Sequence, residues 1–257
     1  MTKLYRVFFY CFVIMVIVPA ATYLLEQNQT KTITKVPTTQ KVIALTVDDG
    51  PHYKTTPELL RVLKEKQVHV TLFVLGANAA QRPDIVAQAV ADGQEIGTHA
   101  YTHESLKKLS EADIKTELDR TEKAILSAGA PKPSLFRPPG GAYDARVLSI
   151  AQEYGYKTIL WSVDPHDWER PSVNSVVKSV LNNAEPGKIV LLHDGQYPLP
   201  TPEAIGIIID RLREQGYEIV TISELLQDQN RKSVPFSGAI PSKLSRYLAR
   251  LWGAEAN

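Results

Sequence analysis

From residue 41 onward, short apolar runs rich in β-branched residues alternate with longer stretches in which apolar residues recur every three or four positions. The short runs predict strands over 41–48, 69–76, 95–99, 134–138, 157–164, 188–193 and 217–222. The longer stretches predict helices over 57–67, 83–92, 110–128, 145–153, 173–182 and 202–215. Thr56-Pro57, and Ser110 followed by Glu111 and Asp113, are helix-start signals, and Asp92-Gly93 and Gln215-Gly216 are stops. Runs that are apolar at every position, such as Val42-Ile-Ala-Leu45 and Ile189-Val-Leu-Leu192, suit a parallel sheet covered on both faces. Strict strand-then-helix order predicts an α/β barrel or a doubly wound sheet. Seven strands favour a (β/α) barrel with a distorted or incomplete ring, and no glycine-rich dinucleotide fingerprint follows the first strand.

The two ends read differently. Lys3 and Arg6 precede an apolar run over 7–25, which predicts an export signal or a membrane anchor (residues 1–25) outside the fold. The run just suffices to span a bilayer, at roughly 20 residues, while Val18-Pro-Ala20 offers a cleavage site. An anchor is the preferred reading, and either one places the rest outside the cytoplasm. Residues 26–40, rich in Gln, Thr and Lys, read as a flexible linker to a domain spanning 41–226. The tail, 227–257, contains a helical pattern over 242–252 with Leu244, Tyr247, Leu248, Leu251 and Trp252 on one face. That helix packs on the barrel or lies on a membrane surface. Lys and Arg number 29 against 28 Asp and Glu, so no basic footprint argues for nucleic acid. The single cysteine, Cys11, excludes a disulfide framework and a cysteine-based zinc site.

Polar clusters fall where the predicted strands end: Asp48 and Asp49 after the first, His99 and His103 after the third, Arg137-Pro-Pro-Gly140 after the fourth. Asp164-Pro-His-Asp-Trp168 follows the fifth and His193-Asp194 the sixth. In (β/α) barrels the C-terminal strand ends form the rim that carries the active site. Two histidines four apart, with a carboxylate from another strand, supply three ligands and an open position, which suits catalytic zinc. The same set fits non-haem Fe(II), although those oxygenases usually need an antiparallel β framework. Adjacent Asp side chains on a strand face opposite ways. A turn at Gly50-Pro51 lets them diverge, one onto a metal and the other into the role of a base, unless both are merely solvated in an Asp-Gly-Pro turn. His193 can protonate a leaving amine, with Asp167 as its carboxylate partner. Arg137 can fix the basic Asp or form a structural ion pair.

With these motifs in this order, the chain resembles the polysaccharide deacetylases of carbohydrate esterase family 4, the NodB-homology domain, across about 41–226. The motifs are Thr46-Val-Asp-Asp-Gly-Pro51, His99-Ala-Tyr-Thr-His103, Arg137-Pro-Pro-Gly140, Asp164-Pro-His-Asp-Trp168 and Leu191-Leu-His193. The resemblance implies a distorted (β/α)7 barrel of parallel strands and a hydrolase that removes N-acetyl groups from a glycan. It implies Asp48 as general base, Asp49, His99 and His103 as metal ligands, His193 as general acid, Asp167 as its partner and Arg137 as the group orienting Asp48. Gly140, Trp168 and Leu191 become substrate-binding positions, Gly140 through its backbone N–H. One divalent metal is expected, zinc first, with cobalt, manganese or nickel as alternatives. The expected substrate is an extracellular N-acetylated polysaccharide, peptidoglycan first and chitin-like or poly-N-acetylglucosamine chains next. An O-acetyl esterase of xylan type and a non-catalytic glycan-binding module are the rivals. Three positions depart from the family's usual pattern. Val47 stands where Phe is common, Ala100 where Ser or Thr is frequent, and Gly140 where a large side chain is often found.

Overall fold

All seven predicted strands form, and they lie parallel in one sheet. The computed structural model describes residues 32–233, with side chains described to residue 227. The strands are β2 (Val42–Asp48), β3 (Thr71–Val74), β4 (Glu95–Thr98), β5 (Leu135–Phe136), β6 (Lys157–Ile159), β7 (Ile189–His193) and β8 (Glu218–Val220). Between them run α1 (Thr55–Lys66), α2 (Gly76–Gln81), α3 (Pro83–Ala91), α4 (Glu111–Ser127), α5 (Ala145–Glu153), α6 (Val173–Asn183) and α7 (Thr201–Glu214). A last helix, α8 (Ile222–Ser233), follows β8. The predicted helices match to within two residues. The short α2 and the helix α8 were not anticipated, because neither carries a long amphipathic repeat.

With β1 (Thr32–Ile33), the strands order as β1-β6-β5-β4-β3-β2-β7, with β8 pairing β2. The ring closes irregularly. Past the end of β6, Val163 bridges to Val190, and the Leu191 N–H donates to the Val163 carbonyl at 2.9 Å. This is the distorted barrel expected from the sequence.

Strand alternation sorts the core into two sides. Ile43, Leu45 and Val47 of β2 pack with Val190 and Leu192 under Leu59, Leu63, Ile205 and Ile208 of the surrounding helices. The opposite faces, with Ala44, Phe73, Leu135, Ile159 and Ile189, pack on Ile222, Leu225 and Leu226 of α8 and on Val36. Each such fully buried aliphatic side chain contributes about 1.5–3 kcal/mol. The α8 plug meets the start of β3, where the Ile222 N–H donates to Thr71 Oγ1. That end of the barrel is thereby filled, leaving the strand C-termini as the open rim.

Residues 32–36 differ from the linker reading. Thr32 and Ile33 pair with Thr158 and Ile159, the Val36 N–H donates to the Gly187 carbonyl, and Val36 is buried. Two isolated apolar residues among Thr and Lys gave no periodic signal for this. No helix among the described residues is long and apolar enough to cross a membrane. The 1–25 segment and the 242–252 helix lie outside the described residues.

Candidate active site

Arg137 emerges from β5 into the barrel and is the largest fully buried side chain among the described residues. Its Nη1 donates to Asp48 Oδ1 at 2.6 Å and to Thr46 Oγ1 at 2.8 Å, while Nε and Nη2 reach the carbonyls of Ile159 and Leu160. The guanidinium also lies over the Phe73 ring at 4.2 Å. Thr46 shares the inward face of β2 with Asp48 and passes the network on to the Val190 carbonyl. Burial raises the Asp48 pKa, against the opposing pull of Arg137 and His193. Asp48 is thus a base of increased proton affinity, held in one orientation by a fixed cation.

Asp49 follows in the left-handed conformation, φ 75°, which Asp tolerates better than most residues. The strand ends there, so the second carboxylate swings to the same side as the first rather than opposite it. Asn78 of α2 pins this corner by donating Nδ2–H to the Asp49 carbonyl at 2.7 Å. Asp49 Oδ1 then lies 3.5 Å from His99 Nε2 and 3.4 Å from His103 Nε2. It is buried and has no hydrogen-bond partner.

The proton count explains that orphan. His99 Nδ1 lies 2.8 Å from the Arg137 carbonyl, which can only accept, so Nδ1 carries the hydrogen. Burial pushes the His99 pKa down to about 3, so its Nε2 presents a bare lone pair to Asp49 Oδ1. Two acceptors facing each other need a cation between them. Ligands about 2 Å from one ion in tetrahedral array stand roughly 3.3 Å apart, and the observed separations match that spacing. Asp49, His99 and His103 therefore fit a divalent metal.

The loop carrying the two histidines is held by a residue the sequence did not mark. Glu117 of α4, buried, accepts from the N–H groups of Tyr101 and Thr102 and from Thr102 Oγ1 at 2.8–3.1 Å. Changing Glu117→Gln sets an amide N–H against these donors. Metal affinity is expected to fall about tenfold or more, read by Zn²⁺ titration against a competing chelator; unchanged affinity would remove Glu117 from this role.

His193 ends β7 directly beside Asp48, its register partner on β2. Its Nδ1 lies 2.8 Å from Asp167 Oδ1, and Asp167 Oδ2 accepts from the His193 N–H and from Thr201 Oγ1. Burial opposes the charged imidazole, but the Asp167 bond and charge outweigh it, with help from Asp48 and Asp49. The pKa rises to about 9. Here sequence reasoning missed Thr201, which looked like an ordinary helix start.

The two loops beneath these groups interlock through glycines. A Cβ on Gly50 would stand 2.4 Å from Asp194 Oδ1, and one on Gly195 would stand 2.4 Å from Asp49 Cβ. Asp194 is buried, accepts from Thr56 Oγ1 at 2.5 Å, and has its pKa raised to about 7 by burial and by Asp49. Thr56, in the first turn of α1 as expected, also takes the His52 N–H and ties this corner to Asp194.

Of the three expected substrate positions, Leu191 is buried on the same strand face as His193. Trp168 is 45% exposed on the turn next to Asp167. Gly140 lies in the turn after Arg137 at φ 61°, with nothing within 4 Å of where a Cβ would be. The structure thus brings all nine anticipated side chains and the Gly140 backbone to one rim.

A parallel barrel that gathers an Asp-His-His set able to hold a metal, an arginine-held carboxylate and an aspartate-backed imidazole carries the groups of a hydrolytic site. The polysaccharide deacetylase family model matches residues 35–159. A peptidoglycan-N-acetylglucosamine deacetylase of Bacillus cereus is 41% identical over 197 residues, 75% of this chain and 92% of that protein. A chitooligosaccharide deacetylase of Bradyrhizobium is 36% identical over 71% of this chain and 90% of its own. The solved Bc1960 peptidoglycan N-acetylglucosamine deacetylase superposes with a TM-score of 0.74 at 32% identity, covering 76% of this chain and 92% of that one. A mutant of BA3943, a CE4 family pseudoenzyme with restored enzymatic activity, reaches a TM-score of 0.73 at 35% identity, covering 79% and 73%. The chain belongs to the polysaccharide deacetylase family, and it is a hydrolase of N-acetyl groups.

Proposed function

We propose that this protein removes N-acetyl groups from peptidoglycan outside the cytoplasm, using one divalent ion, zinc first, held by Asp49, His99 and His103. The observation that carries the reading is the pairing of Asp48 and His193. They are neighbours on adjacent strands, one a buried carboxylate fixed by Arg137, the other an imidazole kept charged to about pH 9 by Asp167. A fixed carboxylate and a charged imidazole facing one cleft can serve as base and acid.

A bound ion would polarise the acetyl carbonyl and acidify the attacking water. Asp48 takes the proton from that water as it adds to the carbonyl carbon. The Gly140 N–H serves as an oxyanion donor, a contact worth roughly 3 kcal/mol. His193 delivers its Nε2 proton to the amide nitrogen as the C–N bond breaks, leaving acetate and a glucosamine unit. Asp167 and Thr201 hold the imidazole for that transfer, and Trp168 and Leu191 line the space for the sugar and the acetyl methyl. Export is supported by the basic start and apolar run of residues 1–25. With that segment uncleaved, it anchors the domain at the membrane.

The deciding measurement is acetate release from N-acetylglucosamine oligomers and purified peptidoglycan, by protein stripped of metal and then reloaded with Zn²⁺. Release only after reloading is expected. Faster release from O-acetylated xylan oligomers would favour the esterase, and binding without release the non-catalytic module.

A further inference from the structure

The large apolar side chains exposed among the described residues are Leu126 and three aromatics, Tyr53, Trp168 and Tyr197. All three aromatics sit on loops that leave strand ends around the site. Trp168 belongs to the groove already described, whereas the chemistry above gives no task to Tyr53 or Tyr197. Each lies four residues beyond a reacting-site residue, Tyr53 after Asp49 and Tyr197 after His193. Those residues leave β2 and β7, which are paired in the sheet.

The rings are not loose surface side chains. His52 stacks on Tyr197, with centroids 6.4 Å apart and planes 3° from parallel, and also meets Tyr53 at 4.6 Å. Burial and Lys54 lower the His52 pKa, so the stacked imidazole is neutral at pH 7. Lys54 Nζ sits over both tyrosine rings, 4.7 Å from Tyr197 and 5.6 Å from Tyr53. The loop next to Tyr197 is tied on both sides: Thr55 Oγ1 donates to the Gln196 carbonyl, and Arg170 Nη2 donates to Gln196 Oε1 at 3.0 Å. The Arg170 bond links this loop to the one carrying Trp168. An aromatic row thus runs from Tyr197, on a loop tied by Arg170 to the one carrying Trp168, through His52 to Tyr53, while Gly140 leaves its own stretch of rim bare.

We infer that Tyr53, Tyr197 and Lys54, braced by His52, form a second sugar-binding position that holds the unit next to the one being deacetylated on the same glycan chain. A pyranose ring presents an apolar C–H face and a hydroxyl edge. Tyrosine rings offer wide, stiff apolar area at low entropy cost, with a hydroxyl at the tip, and Lys54 supplies donors for the sugar's hydroxyl and acetamide oxygens. The position continues the groove beyond Trp168, which is why a neighbouring unit of the same chain is its occupant. This inference rests on the glycan reading above.

The test compares wild type with Tyr53→Ala/Tyr197→Ala, and with Tyr53→Phe/Tyr197→Phe, on N-acetylglucosamine itself and on its oligomers from dimer to hexamer. The expected result is a kcat/KM loss of about tenfold on the dimer and every longer oligomer, the scale of lost aromatic contacts, and little loss on the monomer, with the Phe pair recovering most of it. No loss, or an equal loss at every length, overturns the inference. Calorimetric binding of the same oligomers reads the position without turnover. Pentamer binding weakened by the alanine pair, in a wild type that releases no acetate, would uphold the sugar position and sink the deacetylase reading instead.

Discussion

Replacing Asp48→Asn or His193→Ala is expected to cut acetate release about 10²–10⁴-fold while bound metal stays at the wild-type level. Neither residue is among the three that fit the ion, so metal content and rate should separate. Near-normal rates in either variant would overturn the assignment. The acid half carries a further pH signature. His193 has its pKa raised to about 9, so the proton it must donate is fully present below that pH and lost as pH rises through it. Asp167 supplies the bond and charge that oppose burial. In Asp167→Asn the burial cost remains while the counter-charge is gone, so the alkaline limb of the kcat profile should move toward neutral pH. The amide also cannot accept from all three donors that Asp167 satisfies: the His193 N–H, His193 Nδ1–H and Thr201 O–H. Either the imidazole loses its orientation or a buried donor goes unpaired, and the plateau rate should fall as well. Profiles of wild type and Asp167→Asn between about pH 6 and 10 test both effects. An unmoved alkaline limb would mean that His193 is not the proton donor.

The parts of this site that were legible in the sequence share one property: each ends an apolar strand or follows within a few residues of such an end. Asp48, His99 and His193 close runs whose hydrophobicity already declares their place in the sheet, and the barrel rule then puts them on one rim. Arg137 was legible as a polar group at a strand end, but its burial was not, since nothing local distinguishes a guanidinium facing solvent from one facing Phe73. Glu117 was hidden more thoroughly. It lies in a helix rich in Glu, Asp, Lys and Arg, where one acidic residue among many reads as a solvated face. Only the packing of α4 against the histidine loop turns it inward. Thr46 carried a usable signal, a hydroxyl two residues before Asp48 and on the same strand face. Thr56 and Thr201 carried none beyond a helix start, because their partners, Asp194 and Asp167, are more than 30 residues away. The short β1 failed for a related reason. Two residues are too few for periodicity, and it is long-range pairing with β6 that makes them a strand.

Removing the buried cation gives the other large effect. Arg137→Met should destabilise the fold by about 3–5 kcal/mol, because it leaves Asp48 buried and unpaired. At 2–4 °C per kcal/mol for a domain of this size, the melting temperature falls by roughly 6–20 °C. Methionine keeps apolar contact with Phe73, so the loss is mainly electrostatic and comes from the carboxylate left behind. The double variant Arg137→Met/Asp48→Asn removes that charge as well, and replacing both members of a buried pair is often nearly neutral. It should therefore melt above the single variant, by several degrees, while releasing no more acetate. The comparison also bears on chemistry. Burial raises the Asp48 pKa even with Arg137 beside it, and a carboxyl already protonated at neutral pH could not act as a base. If Arg137→Met melts no lower than the wild type, Asp48 carries no charge for Arg137 to stabilise, and its role as base falls. If the double variant is the more stable, Asp48 is ionised in the native protein, and Arg137 both holds the base in place and keeps it charged.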